Sequence, residues 1–150
     1  MKQQKTNGNQ TPLPSGGAGG GFKLSANFSL AEMVATSHGK LQDIPTGEVV
    51  FNLTILCARV LQPLRDTLGA PVYINSGYRS KKLNAKVGGV PNSRHLLGKA
   101  ADIHCDNMAY AKVVFDILKQ NKYVHKVLIE SPTPTLPKGG GRTVWVHVQM

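Results

Sequence analysis

The C-terminal run from Thr143 to Gln149 is the segment that most constrains the fold, because valines alternate in it with larger side chains. Successive side chains of a β-strand point to opposite faces. The three valines therefore share one face, and Trp145, His147 and Gln149 share the other. The valine face predicts a strand with one side in a core. For His147 alone, the simple interpretation is a surface histidine beside a partly exposed tryptophan.

A second segment places His95 and Asp102 seven residues apart. His95 falls in a loop, whereas Asp102 falls in a predicted strand over residues 100–105, on the same face as His104. Zinc binds imidazole nitrogen and carboxylate oxygen. Together with His147, these residues would give two histidines and one aspartate, a ligand set that leaves the fourth position of a tetrahedral zinc open, as in catalytic sites.

The remaining secondary structure follows from helical periodicity, capping residues and strand alternation. Helices are predicted over residues 30–36, 48–68, 80–85 and 108–120, and strands over 72–75, 100–105, 125–130 and 143–149. Pro63 predicts a kink or interruption in the second helix. Because the links between strands are mostly too short for crossovers, the fold class expected is α+β, with a small, mainly antiparallel sheet flanked by helices.

The domain organisation expected is a single domain behind a polar arm. Residues 1–21 are rich in Gly, Gln, Thr, Pro and Ser, which predicts a disordered arm or linker before a domain over 22–150. We expect a monomer. No apolar core follows the first residues, and no apolar run approaches the length of a membrane-spanning helix. Neither a signal peptide nor a transmembrane segment is therefore predicted.

A net charge of +10 favours anionic partners such as nucleic acid, anionic lipid or bacterial wall polymer. The lysines and arginines are scattered, with little aromatic interleaving, so nucleic-acid binding would rest on charge alone and is not expected. Cys57 and Cys105 lie far apart and match no metal-binding spacing. Buried, reduced thiols are predicted, with a disulfide as the alternative.

A set of short motifs is spread along the chain: Phe28-Ser29-Leu30-x-Glu32, Leu61-Gln62-Pro63-Leu64-Arg65, Ser76-Gly77-Tyr78-Arg79-Ser80, Gly88-Gly89, Ser93-x-His95, Gly98, Ala101-Asp102 and Trp145-Val146-His147. Taken together, they resemble the zinc D-Ala-D-Ala carboxypeptidase family, within the group that contains hedgehog-like zinc domains and lysostaphin-type peptidases. The resemblance covers about residues 22–149 and is closest to bacterial and phage wall-cleaving peptidases. It implies a hedgehog/D-Ala-D-Ala-peptidase-like fold and one Zn²⁺ held by His95, Asp102 and His147.

The resemblance also implies roles for residues around the metal. Arg79 would bind a substrate carboxylate or polarise the scissile carbonyl, and Ser93 would contact substrate. The alternatives are a salt bridge from Arg79 to a surface acid and a turn-forming hydroxyl for Ser93. Trp145 and Tyr78 are expected to wall the cleft, with simple packing as the alternative for both.

The proton carrier departs from the family pattern. Many relatives place the catalytic acid three residues before the last histidine ligand, where this chain has Val144, which cannot move a proton. Glu130 is the candidate replacement, because antiparallel pairing would set it opposite or diagonal to Trp145, on the face of His147. The alternative is an edge-strand glutamate in solvent. His104 is expected to orient a ligand or wall the pocket, with replacement of a ligand as the alternative.

The function expected is hydrolysis of peptidoglycan stem peptides by a zinc peptidase, either a D,D-carboxypeptidase or an endolysin-like endopeptidase. Glu130 would take the proton of the attacking water and pass it to the leaving amine. The loop over residues 131–142 is expected to influence the choice of bond as a flexible rim. Action at the bacterial cell wall would require export or phage-type release. The rival functions are a catalytically silent, zinc-bearing wall-binding module, which Val144 favours, and a nucleic-acid-binding domain.

Overall fold

The computed structural model describes residues 22–131 and 144–150. The predicted arm over 1–21 and nearly all of the predicted rim loop lie outside these ranges. The strands are β1 (Lys23–Ser25), β2 (Phe28–Ser29), β3 (Ile74–Ser76), β4 (Ala100–Cys105), β5 (Lys126–Glu130) and β6 (Val144–Gln149). The α-helices are α1 (Leu30–Val34), α2 (Gly47–Leu56), α3 (Gln62–Leu68), α4 (Lys81–Lys86) and α5 (Met108–Lys119). Two 3₁₀ helices cover Gly39–Leu41 and Arg94–Leu97.

A four-stranded sheet with the order β3-β4-β6-β5 forms the centre of the fold. Every neighbouring pair in it is antiparallel. The two longest strands, β4 and β6, pair along their whole length, from Ala100 opposite Gln149 to Cys105 opposite Val144. A separate two-stranded hairpin joins β1 and β2. The predicted α+β class, with a small antiparallel sheet and flanking helices, is confirmed.

One face of the sheet is the core, as the alternation of β6 predicts. Val144, Val146 and Val148 are at most 2% exposed, and Ile103 of β4 is fully buried beside them. They belong to one apolar cluster with buried residues of the helices, among them Leu53, Leu56, Val114 and Leu118. Burying one side chain of this size contributes roughly 1.5–3 kcal/mol to the free energy of unfolding. The opposite face of β4 and β6 is thereby left for polar side chains.

The second predicted helix runs from Gly47 to Leu68 and is interrupted where the proline requires it. A π-helical turn over Cys57–Leu61 separates α2 from α3, and Pro63 lies in the first turn of α3. At the junction, the Gln62 N–H bonds the carbonyl of Cys57, five residues back. Proline at the start of a helical segment is tolerated because its missing N–H has no partner there. The predicted interruption is confirmed.

By length and composition, Gly47–Leu68 is also apolar enough to cross a membrane, contrary to the expectation from sequence that no segment would be. The core helix of a globular domain passes the same test. Leu53, Leu56, Leu61 and Leu64 of this segment are at most 1% exposed, packed in the core. A single helix of this kind is weak evidence for a membrane span, and 39% of its apolar window is buried inside the domain.

Local capping follows the sequence closely, whereas strand ends shift. Ser29 and Glu32 form both hydrogen bonds of the predicted capping box at α1, and Asn107 caps α5. The short strand predicted over 72–75 lies at β3 instead, because its backbone pairing begins only at Ile74, opposite Ile103. The hairpin of β1 and β2 was not predicted, since strands of three and two residues carry almost no alternation.

Both cysteines are buried free thiols, as predicted. Burial, with a smaller effect from the charge of Glu32, raises the pKa of Cys57 to about 12. Burial and the charge of Asp106 raise the pKa of Cys105 to about 11. Thiols with such pKa values carry little thiolate at neutral pH, so a structural role fits both residues.

Candidate metal centre

Three side chains from different elements converge on the polar face of the sheet. Asp102 on β4 and His147 on β6 are directly opposed in the strand register. His95 comes from the 3₁₀ helix over Arg94–Leu97, whose N-cap is Ser93. One ligand atom from each of the three lies within 4.8 Å of the other two, so the group could hold a metal ion. The donor set of two imidazoles and one carboxylate is consistent with one Zn²⁺.

The ring of His95 is oriented by a backbone carbonyl. Its Nδ1 lies 2.6 Å from the carbonyl oxygen of Gly77, an acceptor, so Nδ1 carries the proton and donates it. Nε2 then presents a lone pair, and this buried atom has no hydrogen-bond partner. It faces Oδ1 of Asp102, another acceptor, at 3.3 Å. A cation between the two would satisfy both atoms, and the residues therefore fit a metal ion.

Glycine is required at position 77 for this approach. A Cβ there would overlap the backbone carbonyl of Met33 and touch the end of its side chain. The same carbonyl of Met33 accepts the N–H of Tyr78 at 2.8 Å, which fixes the turn. The motif around Gly77 is thus explained by a close backbone contact that brings its carbonyl to His95.

His147 is oriented by a neighbour that the sequence did not indicate. Its Nε2 lies 2.8 Å from Oε1 of Gln149, and its Nδ1 lies 2.9 Å from Oδ1 of Asp102. When Nε2–H donates to the glutamine oxygen, Nδ1 carries the lone pair that faces the centre. The alternation of β6 places Gln149 on the same face as His147, but only the contact itself reveals its role.

The charges of the group reinforce one another. Burial raises the pKa of Asp102, but the hydrogen bond to His147 and the positive charges that the His147 and His95 rings carry when protonated outweigh it, so this pKa lies well below its usual range. Burial lowers the pKa of His147, but hydrogen bonds to Asp102 and Gln149 and the charges of Asp102 and Glu130 outweigh it, so this pKa is raised. Asp102 is therefore ionised at neutral pH, as a metal ligand must be.

Three hydrogen bonds hold the Arg79 guanidinium beside Asp102. Its Nε donates to Oγ of Ser76 at 3.1 Å, its Nη1 to Oδ1 of Asn84 at 2.8 Å, and its Nη2 to Oδ2 of Asp102 at 3.4 Å. Arg79 does form an ion pair, but with a candidate metal ligand inside the cleft and not with a surface acid. The guanidinium has five N–H groups in all, so part of it remains available to a substrate.

Asn84 and Gly89 form the support behind Arg79, and neither role was predicted. Asn84 is 3% exposed, and its Nδ2 donates to the carbonyl of Val90 at 2.8 Å. A Cβ on Gly89 would overlap Oδ1 of Asn84 and approach Nη1 of Arg79 to 2.8 Å. The sequence signal available for Asn84 was its position directly after Leu83, an apolar residue that α4 buries in the core.

A cleft of about 670 Å³ opens over the group, within the range of ligand sites. Glu130 and Trp145 line it as direct neighbours in the register of β5 and β6. Nε1 of Trp145 donates to Oε1 of Glu130 at 2.9 Å, so this glutamate is tied to the cleft wall. Val144 lies on the core face and is 2% exposed, because three residues along a strand reverse the face.

The other predicted site residues divide into those inside the cleft and those outside it. Ser93 lines the cleft, while its Oγ accepts the N–H of His95 at 3.1 Å, the turn-forming role that was the alternative. Tyr78 does not line this cleft, because the turn after β3 directs it into the core. His104 does not line it either. Its side chain is 40% exposed and pairs with Asp106 at 2.9 Å, about 7 Å along the strand from Asp102.

The role of Gln149 predicts a change in metal affinity. Gln149→Met removes the acceptor for Nε2–H of His147 at similar size, so the affinity for zinc should fall about 10- to 100-fold. Gln149→Glu keeps an acceptor and should bind zinc at least as tightly as the wild type. Competition with a chromophoric chelator measures both. Wild-type affinity in the methionine variant, or an equal loss in both variants, would show that the glutamine does not set the tautomer.

Comparisons with known proteins identify the family of the chain. The family model described as Peptidase M15 matches residues 26–132. The zinc D-Ala-D-Ala carboxypeptidase of Streptomyces albus G is 41% identical over 51 residues, which cover 33% of this chain. That match spans 20% of the relative's own length. The resemblance drawn from the motifs is confirmed, and this chain belongs to the peptidase M15 family.

Proposed function

We propose that this protein is a zinc-dependent peptidase that hydrolyses peptide bonds in peptidoglycan stem peptides. The observation that carries the proposal is the convergence of His95, Asp102 and His147, with an orphaned imidazole nitrogen, in a cleft that Glu130 also lines. The family supports peptidase chemistry. The name of the Streptomyces relative supports zinc and a D-Ala-D-Ala substrate.

Zinc held by these three side chains would supply Lewis acidity, which polarises a scissile carbonyl and makes water more acidic. Glu130 takes the proton of the attacking water and passes it to the leaving amine. Trp145 holds one carboxylate oxygen of Glu130 by its N–H, which leaves the other oxygen for the water. The remaining N–H groups of Arg79 hold the carbonyl oxygen as negative charge develops on it.

The bond that is cut is either the terminal D-Ala bond or one within the stem. Both reactions use the same centre, and they differ in what lies on the two sides of the scissile bond. An endolysin-like enzyme would act at the wall as a monomer and release large fragments, whereas a carboxypeptidase would release D-alanine. Nearly all of the predicted rim loop lies outside the described residues, so only the described residues of the cleft bear on this choice.

Digestion of purified peptidoglycan tests the proposal. The zinc-loaded protein, the chelated protein and the protein reconstituted with zinc are incubated with wall material, and the products are identified by mass spectrometry. The expected result is release of D-alanine or stem fragments that chelation stops and zinc restores. Zinc-loaded protein that releases no product would contradict it.

The second candidate is a zinc-bearing module that binds the wall without turnover. Val144 at the position where many relatives carry the acid favours it, because a valine cannot move a proton. Such a module would sediment with peptidoglycan in a zinc-dependent manner and release nothing. Sedimentation of the zinc-loaded and chelated protein, run beside the digestion, separates the two functions.

The support behind Arg79 predicts an effect of Gly89→Ala. The added Cβ displaces the Asn84 amide and moves the guanidinium, and a shift of about 1 Å in a positioning group can lower kcat/KM about 100-fold. Gly47→Ala is the matched control, since a Cβ there meets nothing within 4 Å. Steady-state kinetics on a stem peptide measures both variants, and equal kcat/KM values would contradict the positioning role.

A further inference from the structure

One end of the cleft carries cations that no side-chain carboxylate neutralises. Arg94 and Lys126 both line the cleft, and Lys126 is opposite Gln149 in the strand register. Arg94 also borders a hollow with His125 and Met150, the chain neighbours of Lys126 and Gln149, which places both cations at the same end. All eight Asp and Glu residues of the chain lie within the described ranges. None of them forms an ion pair with Arg94 or Lys126; the ion pairs among described residues involve Arg79 and three histidines. These two charges are free to attract an anion.

The strand register places this end on one side of the metal centre and Glu130 on the other. Lys126 is opposite Gln149, Leu128 is opposite His147, and Glu130 is opposite Trp145. Lys126 and Glu130 therefore lie two residues from Leu128 in opposite directions, about 7 Å each along the strand. A peptide bound with its scissile bond at the metal would meet the proton carrier on one side and the cation on the other.

Arg94 extends the positive region beyond the cleft. It is half-buried, directly precedes the ligand His95, and also borders a second hollow of about 380 Å³. Lys99, His125 and the last residue, Met150, line that hollow, and no Asp or Glu side chain does. Arg94 and Lys99 therefore bring two cationic side chains to this hollow, and neither is paired with an Asp or Glu side chain.

We propose that Arg94 and Lys126 form a subsite for a carboxylate of the peptide substrate, one or two residues from the scissile bond. The inference rests on the proposed function. Consecutive Cα atoms of a peptide are 3.8 Å apart, so a carboxylate at that position matches the spacing of about 7 Å. A guanidinium binds a carboxylate with two parallel hydrogen bonds, and a lysine adds a flexible point charge.

Arg79 is less suited to this task, although the family resemblance implies carboxylate binding for it. Its charge is already paired with Asp102, and Ser76 and Asn84 accept two more of its hydrogen bonds. A substrate carboxylate would therefore gain more from Arg94 and Lys126, whose charges are unpaired. The carboxylate can be the C-terminus of a carboxypeptidase substrate or a side chain of an endopeptidase substrate.

The test compares Arg94→Gln, Lys126→Gln and the double variant with Lys112→Gln, an exposed lysine on α5 outside the cleft. Three peptides serve as probes: acetyl-Lys-D-Ala-D-Ala, its C-terminal amide, and an amidated peptide with a glutamate side chain. Trp145 is the single tryptophan of the chain and lines the cleft, so its fluorescence after rapid mixing reports binding before turnover.

Each cleft variant of the zinc-loaded protein is expected to lose about tenfold in affinity for a carboxylated peptide and less than about twofold for the C-terminal amide, which has no carboxylate. The peptide that shows the loss identifies the source of the carboxylate. The subsite would be overturned if the variants lost as much affinity for the peptide without a carboxylate as for the carboxylated peptides. It would also be overturned if their affinities matched those of Lys112→Gln. If the protein prefers carboxylated peptides through these residues but hydrolyses none, the subsite stands and the proposed function fails. If it hydrolyses the peptides without such a preference, the proposed function stands and the subsite fails.

Discussion

Asp102→Asn is expected to weaken zinc binding by more than about 100-fold, because it removes the negative ligand on which both histidines converge. The variant also removes the ion-pair partner of Arg79, whose side chain is only 14% exposed. Loss of that partner should lower the free energy of unfolding of the metal-free protein by about 1–3 kcal/mol. Chelator competition and urea unfolding measure the two effects separately.

Asp106→Asn is the matched control for this change. Asp106 carries the same chemical group and also contacts a histidine, but its side chain is 85% exposed. Ion pairs at such positions contribute little, so zinc affinity and stability should both stay at wild-type values. Wild-type zinc affinity in Asp102→Asn would mean that the metal, if bound, is held elsewhere.

Glu130→Gln is expected to lower kcat by about 10²- to 10⁴-fold while zinc content stays unchanged. Glutamine keeps an oxygen that accepts the N–H of Trp145, so the side chain should remain in place without a proton-accepting carboxylate. Rates of product release from a stem peptide, measured together with zinc content, test this. Glu48→Gln, at the exposed start of α2, provides the control for the same chemical change.

The outcome of the Glu130 experiment decides between two accounts of the departure at Val144. A large fall in kcat with zinc retained would establish that the carboxylate has moved from β6 to the neighbouring strand β5. Full activity in Glu130→Gln would remove Glu130 as the proton carrier and leave the mechanism without one among the described carboxylates of the cleft.

The features that the sequence predicts well depend on a local period or on one strand pairing. Alternation in β4 and β6 sorts core from site, and an antiparallel link between β5 and β6 places Glu130 beside Trp145. The three predicted ligands therefore come together as expected. The capping box at α1 and the interruption near Pro63 are equally local, since each depends on residues within one or two helical turns.

The features that the sequence does not predict depend on where a turn directs a side chain. Tyr78 follows a bulged strand end, and backbone contact with Met33 turns it into the core. His104 shares the face of Asp102, but its ring contacts the carboxylate of Asp106 and does not line the cleft. Gln149 and Asn84 act only by touching another site residue, and a contact of that kind has no periodicity to reveal it.

The zinc content of the purified 150-residue chain, reconstituted with zinc and dialysed, tests the central claim most directly. Elemental analysis of wild type and His147→Ala should give one zinc per chain in the wild type and almost none in the variant. Metal-free wild type after reconstitution, or an unchanged stoichiometry in His147→Ala, would contradict a zinc centre built from His95, Asp102 and His147.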